Sequence, residues 1–173
     1  MQAIYAKARA IRLFIFDVDG VLTDGSLYLS DSGEEIKAYN SQDGHGMKML
    51  RESGVALAII TGRTSRSVEL RARNLGVELL YQGVADKARV YGELLVARKL
   101  DAGATAYMGD DVVDLPVMLR CGLALTVPEA PLAVRQYADY VTRAPGGRGA
   151  AREACELIMH AQSTLERQLT SFQ

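Results

Sequence analysis

An α/β fold with a mainly parallel sheet flanked by helices is what this sequence predicts, and three observations point to it. Short runs apolar on both faces recur along the chain at Ile11–Phe16, Val55–Ile60, Thr105–Met108 and Leu123–Val127. Segments with apolar residues at helical spacing lie between them. Several runs also end in a small or acidic turn: Asp17–Gly20, Thr61–Gly62, Gly109–Asp111. A strand that is apolar throughout must be covered on both sides, as central strands of parallel sheets are.

Taken in order, Ile11–Phe16 is the first such strand, and Val55–Ile60 is the longest wholly apolar run, six residues. Weaker strands are expected at Glu78–Tyr81 and Asp139–Val141. A short helix is expected around His45–Ser53. Val68, Ala72 and Leu75 share a helix face, with Gly76 as its C-cap. Val90, Leu94 and Ala97 mark a second helix, and Ala154, Ile158, Ala161 and Leu165 a long final one. Residues 24–39 break the alternation. Turn residues at Asp24–Gly25 and Asp31–Gly33 flank Ser26–Ser30 and Glu34–Tyr39, which predicts a projecting β-hairpin. Ala144–Gly149 is the nearest thing to a linker, and the C-terminal Gly-rich segment with its helix covers about 144–168.

Length and composition set the limits. The 173 residues fit one domain, 1–173, and 49% apolar with 24% charged residues excludes intrinsic disorder. A net charge of −1 argues against binding nucleic acid through a basic surface. No run is long enough to span a membrane. Met1–Ala10 has no long apolar stretch or small-residue cleavage site, so no signal peptide is expected there. Cys121 and Cys155 form neither a metal-ligand cluster nor a disulfide framework, in keeping with a cytoplasmic protein. His45 has no second histidine or cysteine near it in sequence, so a metal role is not expected of it.

Ligands of open parallel sheets sit at the carboxyl ends of strands. The residues there are Asp17, Asp19 and Gly20, then Thr61, Gly62 and Arg63, then Asp110 and Asp111, with Asp114 one turn on; Lys87 opens a helix after the weak third strand. Asp17, Asp19 and Asp110 cannot all ionise together without a cation, and Mg²⁺ is the hard ion suited to carboxylates, water and a phosphate. With it, Asp17 can attack phosphorus as a carboxylate nucleophile while Asp19 serves as acid and base. Thr61 and the Gly62 amide would bind phosphoryl oxygens, and Lys87 would offset transition-state charge. Gly20 would let the backbone approach closely. Taken singly, each residue has a plainer reading: an acidic turn, a helix N-cap, a surface lysine or arginine. Only the joint pattern, in this order, favours chemistry.

Asp17-Val18-Asp19-Gly20-Val21-Leu22-Thr23-Asp24-Gly25, Thr61-Gly62-Arg63, Lys87 and Gly109-Asp110-Asp111-Val112-Val113-Asp114 resemble the four motifs of the haloacid dehalogenase (HAD) superfamily of phosphohydrolases. The extended first motif, Tyr81-Gln82-Gly83 and Ala144–Glu153 resemble in particular its 3-deoxy-D-manno-octulosonate 8-phosphate (KDO 8-phosphate) phosphatases. The resemblance runs from about Ile11 to about Ala161.

It implies a Rossmann-like fold with no separate cap domain, Asp17 as nucleophile and Asp19 as acid/base. It also implies Mg²⁺ held by Asp17, the Asp19 main-chain carbonyl and Asp110, with Asp111 and Asp114 supporting. The similar phosphatases are homotetramers whose hairpins assemble and whose neighbouring chains close the site, so Arg148 and Arg152 are expected to reach a neighbour's sugar-acid phosphate. The implied activity is hydrolysis of KDO 8-phosphate to KDO and phosphate, serving lipopolysaccharide synthesis. Arg63 favours this substrate over a nine-carbon ulosonate 9-phosphate, whose phosphatases can carry Glu at that place. Gln42 departs from the family, which often has Arg before Asp43-Gly44. A phospho-accepting receiver domain is the competitor from another class, but there the acceptor Asp follows the third strand rather than the first.

Overall fold

The computed structural model describes residues 2–170. Six parallel strands form one sheet: β1 (Leu13–Phe16), β4 (Ala56–Ile60), β5 (Leu79–Tyr81), β6 (Thr105–Met108), β7 (Leu123–Thr126) and β8 (Tyr140–Val141), in the order β5-β4-β1-β6-β7-β8. β1 is central, pairing Leu13 with Ala56 on one side and with Thr105 on the other. Every residue of β1 is buried, as its doubly apolar run requires. Each of these large apolar side chains contributes about 1.5–3 kcal/mol through burial. Two strands, β2 (Tyr28–Leu29) and β3 (Glu35–Ile36), form the antiparallel hairpin. It is shorter than its sequence pattern implied: only Tyr28–Leu29 and Glu35–Ile36 pair, and Tyr28, Leu29 and Ile36 face solvent.

The flanking helices are α1 (Gln2–Arg9), α2 (Ser41–Glu52), α3 (Arg66–Leu75), α4 (Lys87–Arg98), the single turns α5 (Leu115–Met118) and α6 (Leu132–Arg135), then α7 (Ala150–Ala161) and α8 (Leu165–Thr170). Gly76 caps α3 at φ 69°, as its position after Leu75 predicts. α1 has no counterpart in the sequence reading. On α4 the buried face is Lys87, Val90, Tyr91 and Leu94, and Ala97, three residues beyond Leu94, is exposed. The expected long final helix is two helices. Ser163 at φ 58° breaks it, and the Thr164 amide turns back to Met159 O.

Ala144–Gly149 is not a linker. Gly147 N donates to Val21 O at 2.9 Å, and a Cβ at Gly146 would stand 1.9 Å from Gly20 O. These glycines serve close approach, laying the segment against the turn that follows β1. Asp43, buried on α2, fixes the other end by accepting Gly149 N and Arg152 N at the start of α7. Accordingly, Gly146→Ala should lower stability by about 1–3 kcal/mol in urea denaturation. Gly92→Ala, inside α4 with nothing within 4 Å of the new methyl, should instead raise it by about 0.5–1 kcal/mol.

Candidate active site

The parallel arrangement of β4, β1 and β6 carries three strand ends to one edge of the sheet. Asp17 and Asp19 follow β1, Thr61 and Gly62 follow β4, and Asp110 and Asp111 follow β6. All six, with Gly25, Arg63 and Val113, line a cavity of about 260 Å³. Gly20 stands at φ 84°, and a Cβ there would lie 2.0 Å from Asp110 Oδ2, so only glycine lets the two loops meet.

Beneath the cavity lies a buried ionic cluster. Lys87, at the start of α4, reaches Asp17 Oδ2 at 2.9 Å and Asp114 Oδ1 at 2.7 Å. Asp114 is fully buried, and its oxygens also accept Tyr107 OH at 2.6 Å and the Asp110 and Asp111 amides at 3.0 and 3.1 Å. Both its oxygens are thus engaged by protein donors, and its part is to hold Lys87 and the β6 loop. Asp111 caps its own turn by accepting Val112 N. The free acceptors are elsewhere. Asp17 Oδ1 is buried with no hydrogen-bond partner, and Asp110 has no cation at ion-pair distance among the described residues.

This crowding leaves its mark on acidity. Burial, and then the Asp114 charge, push the Asp17 carboxyl up to about 6 against the pull of Lys87. Burial, followed by the charges of Asp17, Asp114 and Asp111, pushes Asp110 up to about 7. Atoms of Asp17, Asp110 and Asp114 lie within 4.8 Å of one another, a spacing suited to a cation. A hard divalent ion fits this donor set, because Asp17 Oδ1 lacks a partner, Asp110 has no cation beside it, and both carboxyls resist ionising without one.

A second ionic group lies on the hairpin side, joining Asp19 and Arg63 to Lys37 and Glu35, which nothing in the sequence singled out. Lys37, its side chain 1% exposed, pairs with Asp19 Oδ1 and, at 2.8 Å, with Glu35. Burial works against its charge, yet the two carboxylates hold its pKa above the ordinary lysine value. Arg63 completes the group, 2.6 Å from Glu35 and 4.0 Å from Asp19 Oδ2. Arg63 is thus at the cavity, as expected. Arg148 and Arg152 do not line it. Arg148 lies 3.6 Å from Asp24, largely in solvent, and Arg152 pairs with Glu156 beside Ser41, Gln42 and His45 in another cavity. Burial drives the Cys121 thiol up to about 12, which leaves it no role as a nucleophile.

No family model matches the chain. It is 47% identical over 163 residues to the 3-deoxy-D-manno-octulosonate 8-phosphate phosphatase KdsC of Yersinia pestis, over 94% of this chain and 87% of that protein. The crystal structure of 3-deoxy-D-manno-octulosonate 8-phosphate phosphatase from Moraxella catarrhalis in complex with a magnesium ion, a phosphate ion and a KDO molecule superposes with a TM-score of 0.98. It is 42% identical, over 100% of this chain and 99% of that one. The cobalt-bound form of the Haemophilus influenzae deoxy-D-mannose-octulosonate 8-phosphate phosphatase gives a TM-score of 0.88 at 39% identity, over 91% of this chain and 92% of that one.

Asp17 and Asp110 have folded-state pKa values above the 3.8 of an ordinary aspartate. The metal-free fold therefore binds more protons than the unfolded chain, and these groups cost stability as pH rises from about 4 to about 7. Mg²⁺ binding requires both to be ionised. The rise in Tm on adding Mg²⁺ should therefore be larger at about pH 7.5 than at about pH 5. Asp110→Asn should remove most of the rise, as measured by calorimetry with and without the ion.

Proposed function

This chain belongs to the KDO 8-phosphate phosphatase family of the HAD superfamily, and from that premise we propose that it is a Mg²⁺-dependent phosphatase hydrolysing KDO 8-phosphate to KDO and phosphate. One observation carries the reading: Asp17, Asp19, Thr61 and Asp110 line a single cavity in a chain whose relatives bear this activity.

Asp17 is the nucleophile. A carboxylate oxygen attacks phosphorus as the bond to the sugar oxygen breaks, and Asp19 protonates that oxygen. Asp19 then takes a proton from a water whose oxygen attacks the aspartyl-phosphate, freeing phosphate and Asp17. Thr61 and the Gly62 amide bind phosphoryl oxygens, Gly20 lets the loop after β1 approach them, and Lys87 offsets charge beside Asp17. Asp17, the Asp19 main-chain carbonyl and Asp110 would hold Mg²⁺, with Asp111 and Asp114 in support. When bound, the ion offsets the charge of the phosphoryl oxygens and of the carboxylates facing them.

The 173 residues work as a single catalytic domain without a separate cap, and the site is completed in a homotetramer. Supporting this, Leu27, Tyr28, Leu29 and Ile36 on the hairpin are 50, 49, 64 and 61% exposed, an apolar surface suited to assembly. Arg63 and, from a neighbouring chain, Arg148 and Arg152 bind the sugar-acid carboxylate. The enzyme acts in the cytoplasm in lipopolysaccharide synthesis, a compartment compatible with the free thiols of Cys121 and Cys155. No helix among the described residues is long and apolar enough to cross a membrane.

Phosphate release from a panel of sugar-acid phosphates, with Mg²⁺ and with chelator, tests the reading. It should depend on Mg²⁺, with kcat/KM for KDO 8-phosphate about tenfold or more above that for a nine-carbon ulosonate 9-phosphate. No release from either, or a preference for the nine-carbon substrate, would overturn the assignment. Arg148→Ala should raise KM about tenfold with kcat little changed, the loss of a charged hydrogen bond made equally in ground and transition states. An unchanged KM would remove Arg148 from the substrate site.

A further inference from the structure

The cavity residues above take no account of the ionic group behind Asp19. Lys37 lies on the chain leaving β3, its side chain 1% exposed, and it does not line the cavity that holds Asp17, Asp19 and Arg63. It meets Asp19 from the hairpin side, at Oδ1, while Oδ2 faces Arg63 at 4.0 Å on the cavity wall. Glu35 lies at ion-pair distance from both cations, Lys37 at 2.8 Å and Arg63 at 2.6 Å. The charges therefore alternate around a closed ring: Asp19, Lys37, Glu35, Arg63. A side chain so engaged has little freedom to rotate. Asp19 carries only 21% side-chain exposure, and Lys37 supplies its one short ion pair.

We propose that Lys37 is a positioning residue for Asp19: by pinning Oδ1 it keeps Oδ2 aimed at the phosphoryl group through both proton transfers, and so ties the hairpin to catalysis. The inference rests on the phosphatase reading, in which Asp19 gives a proton to the leaving sugar oxygen and then takes one from the attacking water. Asp17 attacks phosphorus in the first step and is released in the second. The first step needs the proton only when the leaving group is a poor one. With an aryl phosphate, whose phenolate leaves unaided, formation of the aspartyl-phosphate continues without an aimed Asp19. Its hydrolysis still needs Asp19 as base. Losing the aim should therefore slow the second step and let the phospho-enzyme build up. A general fault in folding or in substrate binding would not do this. Lys37 pairs with Asp19 and Glu35 and not with Thr61, Lys87 or Arg63 themselves, so KM for the sugar phosphate should change little.

The test compares the parent, Lys37→Met and Lys37→Arg as full chains with Mg²⁺, using KDO 8-phosphate and para-nitrophenyl phosphate, with acid-quenched phospho-enzyme measured alongside steady-state rates. General acid–base catalysis is worth about 10²–10⁴-fold, so a misaimed Asp19 should lower kcat for KDO 8-phosphate about tenfold or more with KM within about twofold. Phospho-enzyme should accumulate in Lys37→Met with the aryl substrate, and Lys37→Arg should recover part of the rate. Unchanged kcat in Lys37→Met, or a raised KM with kcat kept, would overturn the proposal. Should Lys37→Met not fold, Lys37→Arg carries the test, because a guanidinium cannot reproduce the ammonium's point contact; parent values of both kcat and phospho-enzyme level in it would then count as overturning. A parent that forms no phospho-enzyme and releases no phosphate would instead bring down the phosphatase reading itself, a result distinct from any behaviour of Lys37.

Discussion

Carboxylates crowded around a single ammonium are the constraint on which the rest of this molecule depends. Asp17, Asp110 and Asp114 are brought together at the end of the two central strands, and Lys87 meets only Asp17 and Asp114 of the three. The sheet makes the crowding unavoidable. β1 and β6 pair in parallel register from Leu13 with Thr105 to Phe16 with Met108, so the residues that follow them leave side by side. Asp114 is neutralised from within by Lys87, Tyr107 and two amides. Asp17 and Asp110 are left short of partners and reluctant to ionise, and a divalent ion answers both deficits.

The surrounding structure keeps this arrangement from relaxing. Gly20 lets the loop after β1 come against Asp110. Gly146 and Gly147 lay the C-terminal segment on the same loop, and Asp43 anchors α7 beyond it. From the other side the hairpin delivers Lys37 and Glu35 to Asp19. A site built on loops is thus clamped between the sheet, a glycine-lined strap and an ionic ring. That is the preorganisation electrostatic catalysis requires.

How much of this was legible in the sequence follows from the range of each interaction. The central strands were legible because strands buried on both faces must be apolar throughout, and Thr105–Met108 matched to the residue. Asp17, Asp19, Thr61, Lys87 and Asp110 stood out because each sits next to a strand end or helix start. Gly76 was legible as a cap because that role is local. Lys37 and Asp43 were not, since each acts through a partner distant in sequence, and neither Glu-Ile-Lys nor Asp-Gly has a local pattern that marks it. Ala144–Gly149 looked like a linker because composition cannot separate glycine kept for flexibility from glycine kept for contact. The break before α8 was hidden because the apolar spacing runs on to Leu165 although the backbone reverses at Ser163.

The central claim is chemical: the Asp17 carboxylate takes the phosphoryl group and gives it up to water. Phosphate release by Asp17→Asn tests it most directly, because the amide keeps the shape of the side chain and removes the nucleophile. With Mg²⁺ present and the fold verified by circular dichroism, the rate should fall about 10⁴-fold or more, the scale seen when a catalytic nucleophile is removed. A folded Asp17→Asn protein that dephosphorylates KDO 8-phosphate at the parent rate would contradict the account.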